Sequence, residues 1–256
     1  MERWSGKVAI VTGASSGIGK AVAEKLVREG MIVAGLARRK ERVEGLAATL
    51  KGCKGVLHAI QADITKEEDI LRAFKYVIEN LGPIHVLINN AGLASVSPLS
   101  YGKTDHWKLL MDTNVVGLAV ATREALQNMY RNKIDGHIIH VSSMCGNKLT
   151  MNPNGFSGAT KAAVTTLAES LRVELNAAKN RTKISCITPG YVHTELMDIV
   201  RKDNQKPEIQ KYLDDFEKNM PALQPEDMAD AMLYMLAAPP HVQIQDLLIR
   251  PVGEVL

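Results

Sequence analysis

The stretch Val8-Ala9-Ile10-Val11-Thr12-Gly13-Ala14-Ser15-Ser16-Gly17-Ile18-Gly19 decides the fold. Its opening apolar run, rich in β-branched residues, reads as a buried strand. The glycine-punctuated turn stops that strand, and Lys20 to Arg28 then reads as a helix. A strand feeding a glycine turn that opens a helix is a phosphate cradle. Gly13 permits the tight turn, Gly17 lets backbone approach a pyrophosphate with no Cβ in the way, and Gly19 allows helix to pack closely on strand. The N–H groups of the turn, which also contains Ser15, Ser16 and Ile18, join the positive end of the helix dipole in favouring an anion. The spacing is G-x-x-x-G-x-G rather than G-x-G-x-x-G, and a glycine turn can be purely structural. Its place directly after the first strand favours the nucleotide.

Outward from this unit the same rhythm continues. Apolar runs at Met31 to Leu36, Val56 to Ala62, His85 to Ile88, His137 to Val141, Lys183 to Ile187 and Ile244 to Ile249 alternate with amphipathic stretches. With the first strand they predict an α/β fold, a seven-stranded parallel, doubly wound sheet of Rossmann type flanked by helices. The longest predicted helices cover Thr104 to Tyr130 and Phe156 to Ala178, and both carry small residues such as Ala119, Ala121, Ala159 and Ala168. Such helices cover the sheet or pair across a symmetric homodimer or homotetramer. No linker, repeat or low-complexity segment divides the chain, so 1–256 reads as one domain.

The 256 residues are 46% hydrophobic and 23% charged, and Lys plus Arg exceeds Asp plus Glu by only 31 to 28. Charge is spread along the chain, which argues against nucleic acid as a partner. Apolar runs are broken well short of a membrane span, and Met1 to Lys7 has no apolar leader, so a soluble cytoplasmic protein is expected. Cys53, Cys145 and Cys186 are far apart and outside any metal-ligand spacing, which predicts reduced packing residues and no metal site. Cys145 alone falls near the candidate active site.

The glycine turn, Asn89-Asn90-Ala91-Gly92, Asn114, Ser143, Lys161 and Pro189-Gly190 occur in an order that resembles the short-chain dehydrogenase/reductase family over essentially the whole chain. The ending from Val242 to Gly253 is similar to the insect farnesol-dehydrogenase-like, NADP-dependent branch. The resemblance implies hydride transfer with a nicotinamide cofactor. At the end of the second strand Ala37-Arg38-Arg39 stands where an acid would grip a free ribose 2′-hydroxyl, so NADP(H) is the expected cofactor. Arg38 is the better candidate; Arg39 is equally well read as a solvated strand end. Asp63 and Ile64 resemble the family's adenine contact, or Asp63 caps the helix near Lys66, a place Thr65 fits better. Asn90, Ala91 and Gly92 are implied to lie against the ribose. Pro189, Gly190, Val192 and Thr194 are implied to border the nicotinamide, and His193 reads as a solvated loop residue.

Catalysis in the resembled family uses Asn, Ser, Tyr and Lys, the last two spaced Y-x-x-x-K on one helical face. Asn114, Ser143 and Lys161 match three of these roles. Four residues before Lys161 stands Ser157, and Phe156 before it has no hydroxyl. A serine hydroxyl is not a practical acid near neutral pH, and general acid-base catalysis is worth roughly 10² to 10⁴ in rate. Three accounts stay open: an engineered substitution, a natural member with diminished chemistry, or another donor, for which Tyr191 and His193 are the nearby titratable groups. The segment 191–221 has an apolar stripe at Ile209, Tyr212, Leu213 and Phe216 and either covers the substrate or is a surface helix. Met197, Ile199, Val200 and Met220 would give a covering segment an adaptable apolar inner side. The expected activity is an NADP(H)-dependent oxidoreductase of a lipophilic alcohol or carbonyl; the alternative is a nucleotide-binding pseudoenzyme.

Overall fold

Alternate residues of the first strand enter opposite layers, and this sets the architecture. The computed structural model describes residues 1–95, 99–147, 155–203 and 206–254. Along the chain run β1 (Val8–Thr12), α1 (Gly17–Arg28), β2 (Ile32–Ala37), α2 (Lys40–Thr49), β3 (Val56–Gln61), α3 (Glu67–Asn80) and β4 (Ile84–Asn89). Next come α4 (Thr104–Met111), a π-helical turn (Asp112–Val116), α5 (Gly117–Arg131), β5 (His137–Val141), a short α6 (Met144–Asn147) and α7 (Gly155–Ala177). The chain closes with β6 (Lys183–Pro189), α8 (Leu196–Asp203), α9 (Pro207–Asn219), α10 (Pro225–Ala237) and β7 (Asp246–Ile249). All seven strands are parallel, in the order β3-β2-β1-β4-β5-β6-β7.

Ala9, Val11, Val33 and Ile88 pack with α1 and α10 through Val22, Leu26, Met228 and Met232. Val8, Ile10, Ala34 and Leu87 pack on the other face with α3, α5 and α7 through Phe74, Ala121 and Leu171. A two-sided sheet of this kind explains why the central strands read as unbroken apolar runs rather than alternating ones. Trp4 donates its indole N–H to the Leu236 carbonyl (2.8 Å) and ties the amino terminus to the end of α10.

Three sequence expectations need correction. The predicted helix over Thr104 to Tyr130 is broken by the π turn that carries Asn114. At its exit a Cβ on Gly117 would strike the Ile64 carbonyl, so α5 lies against the β3–α3 loop as only glycine allows. The last strand begins at Asp246, because the Ile244 carbonyl is taken by the Ser185 hydroxyl (2.5 Å) before the ladder starts. Pro189 is the final residue of β6 rather than a loop residue beyond it, and it pairs with Ile249 at the sheet edge.

The sheet order reverses direction between β1 and β4. Their helices leave to opposite faces there, and a crevice opens beyond their carboxyl ends. That crevice receives most of the predicted site residues.

Candidate active site

Beyond the strand ends lies a cleft with a cavity of about 370 Å³. Its floor is fixed by Thr12. The Thr12 hydroxyl accepts from the backbone N–H groups of Asn90 and Ala91, each at 3.0 Å, and donates to the Ile88 carbonyl at 3.3 Å. Asn90 returns the tie by donating its side-chain amide to the Thr12 carbonyl at 2.9 Å. The glycine turn is thereby locked to the β4 loop. Gly13 has a φ of +70° and its Cβ would fall 2.9 Å from Asn90 Nδ2, so both backbone conformation and space demand glycine. A Cβ on Gly19 would strike the Gly13 carbonyl, and one on Gly17 (φ +51°) would meet Thr194 Cγ2 at 3.0 Å. Helix α1 begins at Gly17 with no side-chain cap, which leaves its first N–H groups free for an anion.

Gly13, Ser15, Ser16, Gly17 and Ile18 all line the cleft, as do Arg38, Arg39, Asp63, Ile64, Asn90, Ala91, Gly92, Pro189, Gly190, Val192 and Thr194. Gly19 supports the turn from behind. Asp63 is no helix cap: its Oδ1 accepts from the Thr65 N–H (3.0 Å) and hydroxyl (2.8 Å), while α3 starts later with no side-chain cap. The two arginines differ. The Arg38 side chain has no hydrogen bond or ion pair among the described residues, whereas Arg39 reaches Ser16 Oγ (3.2 Å) and Glu195 Oε2 (3.2 Å). Arg42, which sequence reasoning misses, holds the same carboxylate at 2.7 Å, and Glu195 is kept below the usual carboxylate range by that bond, then by both guanidinium charges. The signal in sequence is faint, because Glu195 and Arg42 are far apart in the chain.

At the other end of the cleft lie Ser143, Ser157 and Lys161. Lys161 donates to the Val141 carbonyl at 2.9 Å. Burial pushes its ammonium down to about 8, and the nearby Cys186 and Cys145 sulfurs offset part of that effect. Ser143 Oγ accepts from the Cys145 N–H at 3.3 Å, and Cys145 itself lines the cleft rather than the core. Ser157, one helical turn before Lys161, is buried. The Phe156 ring stacks on Trp107 of α4 with centroids 5.4 Å apart and is not part of the cleft lining.

Asn114 is buried, and its amide is fully used. It accepts from the Leu93 N–H (2.8 Å) and donates to the Leu93 carbonyl (2.9 Å) and to Thr160 Oγ1 (2.8 Å). Thr160 in turn donates to the Ser157 carbonyl at 2.7 Å. The π turn therefore clamps the β4 loop to α7, at a widened turn of the kind common in functional sites. Beneath it His140 is held neutral, pushed down to about 3 by burial and then by the Lys161 charge, so it does not titrate near neutrality.

The roof is the excursion between Tyr191 and Leu223, whose ends are joined by Leu223 N–H to the Tyr191 carbonyl and His193 N–H to the Leu223 carbonyl, both 2.9 Å. The predicted stripe of Ile209, Tyr212, Leu213 and Phe216 lies on a single helix, α9, and Arg201 of the preceding α8 joins the two helices through Asp214 (2.7 Å) and Glu217 (2.5 Å). Met197, Ile199, Val200, Leu213 and Phe216 line the cleft; Met220 does not. His193 is exposed and also outside the lining. Tyr191 does line it, edge-on to Phe216 at 4.9 Å, and burial, then Glu217, raises its phenol pKa. Glu254, unforeseen in the sequence, buries its carboxylate beside Gly190. It accepts from the Tyr191 N–H (2.8 Å) and Arg250 Nε (2.7 Å).

This geometry has relatives. Residues 7–205 match the family model described as short chain dehydrogenase. The chain is 44% identical to a farnesol dehydrogenase of Aedes aegypti, with 99% of each chain covered. The chain belongs to the short-chain dehydrogenase family. It is also 43% identical to the human dehydrogenase/reductase SDR family member 11, covering 100% of this chain and 98% of that one. Among solved structures, the closed form of a serine dehydrogenase complexed with NADP+ superposes with a TM-score of 0.86 at 29% identity, covering 97% and 96%. An alcohol dehydrogenase from Thermococcus sibiricus complexed with 5-hydroxy-NADP gives 0.79 at 26% identity, covering 96% and 97%. No helix among the described residues is long and apolar enough to cross a membrane.

The Lys161 environment makes a direct prediction. Carbon-detected NMR of the lysine Cε signals should give Lys161 a midpoint near 8, well below the ordinary lysines. A folded-state value below the unfolded one means the unfolded chain binds more protons between about 8 and 10.5. The Lys161 contribution to stability therefore rises with pH across that window. In urea titrations Lys161→Met should flatten this rise, and an unchanged pH profile would show that the ammonium is fully solvated.

Proposed function

We propose that this short-chain dehydrogenase is an NADP(H)-dependent oxidoreductase of a lipophilic alcohol or carbonyl, with proton transfer weakened at Ser157. The observation that carries this reading is one continuous cleft, lined by Arg38 at one end and by Ser143, Ser157 and Lys161 at the other. The unpartnered Arg38 guanidinium supports a 2′-phosphate at the adenosine end. Asp63 and Ile64 would then border the adenine, the uncapped start of α1 the pyrophosphate, and Pro189, Gly190, Val192 and Thr194 the nicotinamide. When bound, the nicotinamide gives or takes the hydride. The chain's own groups do the rest. Ser143 orients the reacting oxygen by its hydroxyl, and Lys161 holds ribose hydroxyls by its ammonium. Asn114 fixes the loop that faces them.

Ser157 stands where the family's Y-x-x-x-K spacing puts a phenol. Its hydroxyl is shorter by a ring and far too weak an acid to exchange a proton directly at neutral pH. The apolar roof of Met197, Ile199, Leu213 and Phe216 supports a lipophilic substrate, in keeping with the relative named farnesol dehydrogenase. Free thiols at Cys53, Cys145 and Cys186 suit a reducing, cytoplasmic setting. The Ser157 position favours the second reading, a cofactor-binding pseudoenzyme, over a fully active enzyme.

Calorimetric titration should give tighter binding of NADP(H) than NAD(H). Arg38→Ala should lower NADP(H) affinity roughly 10- to 100-fold, the worth of a charge-assisted hydrogen bond, and leave NAD(H) unchanged. Equal losses for both cofactors would assign the preference elsewhere.

Self-association is the third part of this reading. Leu109, Val116 and Tyr130 on the α4–α5 unit and Val173 on α7 are exposed apolar side chains on the two long helical stretches. Light scattering at micromolar concentration should report a dimer or tetramer; a strictly monomeric mass would leave those helices as sheet cover alone.

Restoring the phenol tests the chemistry. Ser157→Tyr should raise turnover of apolar alcohols or ketones by about 10² or more with cofactor affinity little changed, and Lys161→Ala in that background should remove the gain. A Ser157→Tyr variant that binds NADPH but stays as slow as its parent would favour the pseudoenzyme.

A further inference from the structure

A second cavity, of about 330 Å³, lies at the opposite end of the sheet, where β1, β4, β5 and β6 begin. Its wall carries Arg3, Lys7, Arg181 and Lys183 against a single carboxylate, Asp135. We propose that this cavity is a binding site for a small phosphorylated or polyphosphate anion, independent of the cofactor cleft.

The cations are arranged in two ranks. Lys183 is fixed at the base: it is 7% exposed, and its ammonium donates to the carbonyls of Ala238 (3.2 Å), Pro239 (2.5 Å) and Val242 (2.6 Å). Arg3 is fixed beside it. Its guanidinium lies over the Trp4 ring, 4.8 Å from the centroid, and Nη2 donates to the Leu236 carbonyl at 2.7 Å. Arg3 Nε is buried and has no partner among the described residues. A buried donor on a charged group with no acceptor is unfavourable, and an anion in the cavity that Arg3 lines would supply one.

At the rim Lys7 is exposed, and its side chain makes no hydrogen bond or ion pair among the described residues. Arg181 lies 3.6 Å from Asp135, too far for a hydrogen bond, with both side chains largely solvent-exposed. These two supply exposed donors above a fixed positive base.

The field of the cluster registers on its neighbours. Lys183 is lowered by burial and then by the Arg3 charge. His137, at the start of β5, is pushed down to about 3 by burial, then by Lys183 and Arg3. Burial, then the Lys7 charge, also lowers His85, against an upward pull from its bond to the Pro83 carbonyl. The imidazoles thus stay neutral at pH 7, and the excess charge rests on the four basic side chains that line this one cavity. Such repulsion is unfavourable without an anion and is relieved by one. A multiply charged phosphate answers the charge better than a single carboxylate, and the walled volume suits a small ligand rather than a polymer.

Trp4 and Trp107 are the chain's two tryptophans, and only Trp4 lines this cavity, so their indole N–H signals separate the two ends of the molecule. The test titrates the full chain with pyrophosphate at constant ionic strength set by chloride, reading both indoles by NMR, with Trp107→Phe to assign them. The Trp4 signal should move and saturate, and Lys7→Gln/Arg181→Gln should weaken that response at least tenfold while the free Trp4 signal stays in place. Movement of Trp107, which lies outside both cavity linings, in step with Trp4 is a non-specific response and overturns the site. A Trp4 signal that stays still, drifts without saturating, or responds equally in the double variant overturns the site.

Discussion

The clasp between Thr12 and Asn90 is the constraint on which the rest of the molecule depends. At the point where the sheet order reverses, β1 and β4 end side by side and their following segments diverge. Nothing in a parallel ladder holds two such ends together once the backbone pairing stops. The Thr12 hydroxyl and Asn90 amide do so with five hydrogen bonds, and a glycine at position 13 is the consequence of how closely they draw the turn. Relax that clasp and the uncapped N–H groups of α1 no longer face the same space as Gly92 and Lys161.

From the clasp the order propagates by side-chain bonds rather than by secondary structure. Gly92 lies so near Lys161 Nζ and Asn114 Oδ1 that a Cβ there would meet them at 3.2 and 3.3 Å. Asn114 binds Leu93 and Thr160, and Thr160 binds the Ser157 carbonyl, so the position of the Ser157 backbone is set from the β4 loop. That wiring is intact around a residue with little acid-base capacity, which is why a single side chain at 157 is the sharpest variable in the site. The roof is joined to the floor by a different route. Glu195 spans to Arg39 and Arg42, so the loop before α8 is ion-paired to the residues that follow β2. Arg38, Arg39 and Glu195 line the same end of the cleft, and of the two arginines only Arg39 is engaged by Glu195.

The sequence by itself determined the layers and the glycine turn that opens on the cleft. Period-two and continuous apolar runs report burial on one or both faces of a strand, and glycine at a turn reports a missing Cβ, because both are local properties. Hence the seven strands and the glycine turn are legible in the order of amino acids alone, while the residues from Arg38 to Thr194 are picked out chiefly by the resemblance to the family. Tertiary structure alone decided which of them are free to act. Arg38 is uncommitted while Arg39 is bound, the Asn114 amide is spent on the loop, His193 lies outside the cleft lining, and Glu254 and Arg42 enter the site from distant segments. Ionisation was equally out of reach: the Lys161 shift to about 8 comes from the depth at which α7 packs on β5 and β6, and no spacing of residues encodes that depth. Hydrogen-bond partners and desolvation are set by segments far apart in the chain, and these are the quantities a one-dimensional pattern does not carry.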